Sequence, residues 1–232
     1  MHDYLKRIGI TELTAPCDES TLSDYVKKVS HMDSPDLNKE EIDTLLRFKV
    51  PKLTNDGTCS AADGSLAEEK YDLSPLLSIK GSDDTEKIER IWKLNQLLDL
   101  IQDEYKIDWI GIYRKTTNLN GEPILLKEAY RGAYSRAEFP LTEEFAAKSN
   151  NTTVGLTGKI VIVKDVRTFT GAYYECDAKV LSEFCCPIYS PEGEVIGIID
   201  AESFSANFFN DKLICELVKV CKDLGSSNLL TT

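Results

Sequence analysis

Residues 182–203 read SEFCCPIYSPEGEVIGIIDAES, and their pattern decides the fold class. Two runs rich in apolar residues, Phe184 to Tyr189 and Val195 to Asp200, flank Ser190-Pro191-Glu192-Gly193, with Pro and Gly where a type I turn takes them. The segment therefore predicts an antiparallel hairpin. Residues two apart on a strand share a face, so Asp200 and Glu202 point the same way, and Glu183, at the start of the first strand, can lie beside them across the hairpin. Three carboxylates converging at a sheet end repel one another unless a cation joins them or one of them takes up a proton. They mark either solvated strand-end acids or a pocket for a ligand ammonium group. Cys185 and Cys186 fall on opposite faces of their strand, one toward the core and one toward any pocket.

Upstream, Asp108 to Tyr113 and Ile124 to Tyr130 form a second hairpin through Asn120-Gly121. Lys159 to Lys164 (KIVIVK) is a further β-branched strand, and Thr142 to Ser149 a weak helix. A helix begins at Asp83, read as a cap with Glu86 three residues on, and carries Ile88, Ile91, Leu98 and Tyr105 at helical spacing. A last helix starts near Asn210 and stops at Gly225, with Leu213, Ile214, Leu217, Val218, Cys221 and Leu224 inward. This succession predicts an α+β domain over residues 86–232, one antiparallel sheet with helices on one face. Residues 1–85 read differently. Leu22 to Val29 and Leu37 to Phe48 have helical patterns, the second capped by Asn38 with Glu41 three residues on, and 52–82 reads as a long loop.

The 232 residues carry a net charge of −12, which repels nucleic-acid backbones and anionic lipid heads, so neither nucleic acid nor membrane is an expected partner. No run approaches the roughly 18 apolar residues of a membrane span, and the N-terminus lacks the apolar stretch of a signal peptide; a cytoplasmic location is expected. Only His2 and His31 are present, so chemistry beyond residue 32 proceeds without imidazole, which excludes Ser-His-Asp and Cys-His hydrolases and histidine-ligated zinc there. The seven cysteines are irregularly spaced without CxxC, and are expected as free thiols in a reducing compartment, with no disulfide framework and no metal site. Cys176 sits in the aromatic-rich segment Tyr173-Tyr174-Glu175-Cys176-Asp177, off any apolar stripe, and is the candidate reactive thiol. Gly155 to Lys159 lacks the spacing of a phosphate loop, and Asn150 and Asn151 match glycosylation sequons by chance.

Asp108-Trp109-Ile110-Gly111-Ile112-Tyr113, Tyr130-Arg131-Gly132, Phe139-Pro140, Lys164-Asp165-Val166, Glu175-Cys176-Asp177-Ala178, Ser182-Glu183, Pro187-Ile188 and Gly197 to Ser203 follow in the order seen in GAF domains. Over residues 86 to 225 the set resembles the free methionine-(R)-sulfoxide reductases, a branch of GAF proteins acting on the free amino acid. The resemblance implies Cys176 as the catalytic thiol, with Glu183 and Asp200 assisting at the sulfoxide. It also implies that Glu183, Asp200 and Glu202 hold the substrate, Glu202 standing where the family has Asp, and that Trp109 and Tyr113 lie near its methyl group. It implies no bound cofactor, an external reductant (a thioredoxin-like protein or a small thiol), an amino-acid ligand, and a homodimer paired through terminal helices. The family's upstream resolving cysteines are absent: no cysteine occurs from Ser60 through Glu175, and Arg136 and Thr157 take their places. Cys185, Cys186 and Cys59 are then the candidate resolving thiols. The alternative is a non-catalytic GAF module that binds or senses a small molecule, and a third reading makes residues 1–85 a partner-binding arm.

Overall fold

The computed structural model describes residues 1–11, 21–53, 65–171 and 177–230. In chain order the elements are α1 (His2–Ile8), α2 (Thr21–Ser30), α3 (Lys39–Leu46), β1 (Arg47–Phe48), β2 (Tyr71–Asp72), α4 (Thr85–Tyr105), β3 (Trp109–Thr117), β4 (Pro123–Arg131), β5 (Glu138–Pro140), α5 (Glu143–Ala146), α6 (Asn150–Thr157), β6 (Val161–Val163), β7 (Ser182–Tyr189), β8 (Val195–Ser203) and α7 (Asp211–Gly225). Six strands form one antiparallel sheet in the order β5-β4-β3-β8-β7-β6.

The β7–β8 hairpin closes through the expected turn: the Gly193 amide donates to the Ser190 carbonyl at 3.0 Å, and Gly193 adopts φ 94°, which an L side chain resists. Alternation along these strands divides the core in two. Phe184, Cys186, Ile188, Ile199 and Ala201 turn to the face covered by α4 and α7, whereas Cys185 and Ile198 turn to a second cluster with Trp109, Tyr113, Leu125, Phe139 and Phe145. Helices were expected on one face only. The short pair α5 and α6 instead lies over the second face, because Ser149 caps a helix start that weak apolar periodicity concealed: its hydroxyl accepts from the Thr152 amide at 3.3 Å.

The N-terminal segment packs on the same core. Leu22, Val26 and Val29 of α2 are buried against α4 and α7, and Tyr4 donates its hydroxyl to the Pro187 carbonyl at 2.8 Å. Asn38 caps α3 in a complete capping box with Glu41, as read from the sequence. Two boundaries differ from expectation. Arg47 and Phe48 leave the helix and pair with Asp72 and Tyr71, where an Arg47–Asp72 ion pair of 2.9 Å joins the strands, so the expected loop 52–82 contains a strand. The cap of α4 is Asp84 and not Asp83, and the Asp84 carboxylate accepts from the Lys80 amide at 2.6 Å instead of closing a capping box. Cys185, Cys186 and Cys221 are free, but Cys215 is disulfide-bonded. That corrects the all-thiol expectation; irregular spacing is no guide to which cysteines the fold brings together. Among the described residues no helix is long and apolar enough to cross a membrane.

Candidate functional site

The pocket lies on the second face, where β3, β8 and β7 run side by side. Trp109 is paired with Glu202 and Gly111 with Asp200 across β3 and β8, while Glu183 faces Glu202 and Cys185 faces Asp200 across β7 and β8. Alternation puts Trp109, Tyr113, Asp200, Glu202, Glu183 and Cys185 on one side of the sheet. Trp109, Tyr113, Ser135, Phe139, Asn150, Asn151, Glu183, Asp200 and Glu202 line one narrow pocket. The Trp109 indole donates to the Ala133 carbonyl at 3.0 Å, and Phe139 packs edge-on to Tyr113 at 5.4 Å, so the aromatic walls are fixed.

The N-terminus of α6 points its first two side chains at the acids. Asn150 Nδ2 donates to both Glu183 oxygens at 3.2 and 3.1 Å, and Asn151 Nδ2 donates to Asp200 Oδ2 at 2.8 Å. Asp200 Oδ1 is buried without a hydrogen-bond partner among the described residues. Burial, then the neighbouring Asp200 and Glu202 charges, push the Glu183 carboxyl well above the usual carboxylate range, and Asn150 offsets this in part. Burial likewise raises Asp200 to about 7, against the Asn151 hydrogen bond that favours its charged form. Burial and the neighbouring charges thus favour the protonated form of Glu183, and Asp200 is poised between its two states near neutral pH. Glu183, Cys185 and Asp200 each bring one donor atom within 4.8 Å of the others, a spacing that suits a cation held inside the cluster.

The structure brings together Glu183, Asp200, Glu202, Trp109 and Tyr113, and adds Cys185 to their side of the sheet. The Cys185 thiol is raised well above its ordinary value by burial and by the Asp200 and Glu183 charges, so its thiolate is disfavoured. Cys186 lies on the opposite face, buried against Cys221 of α7, and does not reach the pocket. Cys176 and Cys59 lie outside the described residues. Arg136 is buried, its Nε donating to the Glu138 carbonyl at 2.5 Å and its guanidinium over the Phe139 and Phe145 rings. Sequence reading missed Asn150, Asn151 and Ser135 as pocket residues, and left Phe139 open between core and pocket. For the asparagines a signal existed: Ser149 followed by two amide side chains is a capped helix start, and such an end attracts carboxylates.

No protein-family profile matches the chain, and no curated protein matches it in sequence. Among solved structures, it is similar to a type II free methionine-R-sulfoxide reductase from Thermoplasma acidophilum (22% identity, 59% of this chain and 89% of that one, TM-score 0.51). A protein from Burkholderia vietnamiensis described as a GAF sensor is similar to the same degree (23% identity, 60% and 81%, TM-score 0.50). So is the free methionine-R-sulfoxide reductase from Neisseria meningitidis, solved in complex with its substrate (18% identity, 66% and 81%, TM-score 0.50). At these identities the likeness is one of fold. This chain has the GAF-like α+β fold found both in free methionine-R-sulfoxide reductases and in a GAF sensor.

Proposed function

We propose that the chain is a divergent reductase of free L-methionine (R)-sulfoxide, with Cys176 as the reacting thiol. The observation that carries this reading is the trio Glu183, Asp200 and Glu202 gathered in one buried pocket beside Trp109, Tyr113 and Phe139. The Asp200 and Glu202 carboxyl groups suit a ligand ammonium, and the aromatic walls suit a methyl thioether. Glu183 and Asp200 assist at the sulfoxide. The Cys176 sulfur attacks the sulfoxide sulfur, and protonated Glu183 donates to the sulfoxide oxygen. The S–O bond and the transient S–S bond then break as the oxygen moves to the Cys176 sulfur, and the proton lost from the thiol replaces the one given by Glu183. One oxygen and two electrons are exchanged: methionine sulfoxide is reduced to methionine, and the thiol becomes a sulfenic acid. Two equivalents of an external thiol, small or carried by a thioredoxin-like protein, return the sulfenic acid to the thiol and release one disulfide and one water. No bound cofactor enters this scheme, and a cytoplasmic location would supply such thiols. Of the resolving candidates, Cys185 shares the pocket face but is held protonated, which favours the external route. A homodimer through terminal helices would have to form around α2, which fills the groove between α4 and α7.

The second reading, a non-catalytic binding module, draws on Arg136, a buried cation in a place where the resemblance expects a cysteine. Methionine release from free L-methionine (R)-sulfoxide with excess small thiol separates the two, with the (S) epimer as control. Epimer-selective turnover that vanishes in Cys176→Ser supports the reductase. Binding without turnover in the wild-type chain, unchanged in Cys176→Ser, supports the module instead.

A further inference from the structure

Behind Ser135, a residue of the pocket wall, lies a buried cation. β4 carries a bulge: Ile112 pairs with Ala129 and Tyr113 with Lys127, leaving Glu128 between them. The bulge keeps Lys127 on the pocket side of the sheet with Leu125 and Tyr113 while sending Glu128 to Arg90 on the helix side. Lys127 is 0% exposed. Its ammonium donates to the Ser135 carbonyl at 2.8 Å and to the Ser135 hydroxyl at 2.7 Å. It also lies 4.0 Å from the Tyr130 ring centre and 5.0 Å from that of Phe48, a residue of the N-terminal segment.

An ammonium has donors only, so the Ser135 oxygen must accept from it, and the hydroxyl's own hydrogen is turned away from Lys127. That hydrogen has no acceptor among the described residues, and Ser135 lines the pocket with Glu183, Asp200 and Glu202. We infer that Ser135, oriented by Lys127, is the donor that binds the carboxylate of an amino-acid ligand here; this rests on the free amino-acid ligand proposed above. A buried positive charge one hydroxyl away favours an anionic acceptor over a neutral one. The pocket then reads both charges on the ligand's α-carbon, the ammonium at the acids and the carboxylate at Ser135. A methionine within a peptide presents neither charge. Lys127 acts through Ser135 and is a positioning residue, and Phe48 helps exclude water from it.

The test compares two probes by calorimetry on the full chain carrying Cys176→Ser: L-methionine (R)-sulfoxide, and the same sulfoxide lacking its carboxylate, (R)-3-(methylsulfinyl)propan-1-amine. The acid is expected to bind about 10-fold or more tightly than the amine. Ser135→Ala should remove about 10-fold from the acid and leave the amine within about 2-fold. Lys127→Met, where it folds, should collapse the acid-to-amine ratio in the same way. Equal losses for both probes in Ser135→Ala, or a pocket that does not discriminate between them, would overturn the carboxylate assignment while leaving the amino-acid reading standing. Failure of both probes to bind the folded chain would overturn that reading and this inference with it.

Discussion

Glu183 and Glu202 are direct register partners on adjacent strands, with Cys185 facing Asp200 two residues further along β7. Carboxylates placed opposite each other weaken a sheet, and here Glu183 is buried and Glu202 half-buried. The sheet tolerates the arrangement because Asn150 and Asn151 donate into it and because burial favours the protonated form of Glu183. Such an arrangement trades stability for three carboxyl groups gathered in one pocket.

Asp200 should make the fold weaker as pH rises. Its folded value of about 7 lies above the ordinary carboxylate value, so between about pH 4 and 7 the folded state holds a proton that the unfolded state has lost. Its contribution is fully present below the ordinary value and is lost as pH rises through about 7. Asp200→Asn should therefore stabilise the chain at pH 8 by a few kcal/mol, with little effect at pH 4. Urea unfolding at the two pH values checks this; equal effects at both would rule it out.

Removing the Asn151 amide takes away the hydrogen bond that favours ionised Asp200. In Asn151→Ala the Asp200 titration should move above 7, and the pH at which an ammonium-bearing ligand reaches half its maximal affinity should move up with it. A pH series of ligand titrations on wild type and variant gives the readout. An unmoved midpoint would separate Asn151 from Asp200 energetically.

Glu128 accepts from Arg90 at 2.5 and 3.1 Å and from Arg114 at 2.6 Å, and Arg90 reaches on to the Leu229 carbonyl at 2.9 Å. Burial raises the Glu128 carboxyl, but the two guanidiniums outweigh it and hold the group below its ordinary value. Its stabilisation is present above the ordinary carboxylate pKa and is lost as pH falls through the lowered one. Glu128→Ala leaves two uncompensated guanidiniums and should cost about 3–5 kcal/mol at pH 7 in chemical denaturation.

Two glycines on neighbouring strands should fail in different ways. A Cβ on Gly197 would lie 2.3 Å from the Tyr113 carbonyl oxygen, a backbone clash that forces β3 and β8 apart. A Cβ on Gly111 would lie 2.5 Å from the Trp109 ring, which can turn only by moving into the pocket or away from Ala133. Gly197→Ala should lower Tm by several degrees. Gly111→Ala should weaken ligand binding more than it lowers Tm and should alter tryptophan fluorescence.

Strand alternation alone determined that Asp200 and Glu202 share a face, that Glu183 joins them across the hairpin, and that Cys185 and Cys186 part company. The Asn38 capping box was equally local. These features were legible because each depends on spacings of two or three residues along one chain segment. Only the tertiary structure decided that Asn150 and Asn151 bind the acids, that Phe48 leaves its helix for a strand, and that Cys215 forms a disulfide. It alone placed Lys127 behind Ser135, since one extra residue at Glu128 reverses the facing of every side chain beyond it. Polar partners far apart in sequence leave no periodicity behind; which pairs meet follows from burial and from the need to satisfy each buried donor and acceptor in three dimensions.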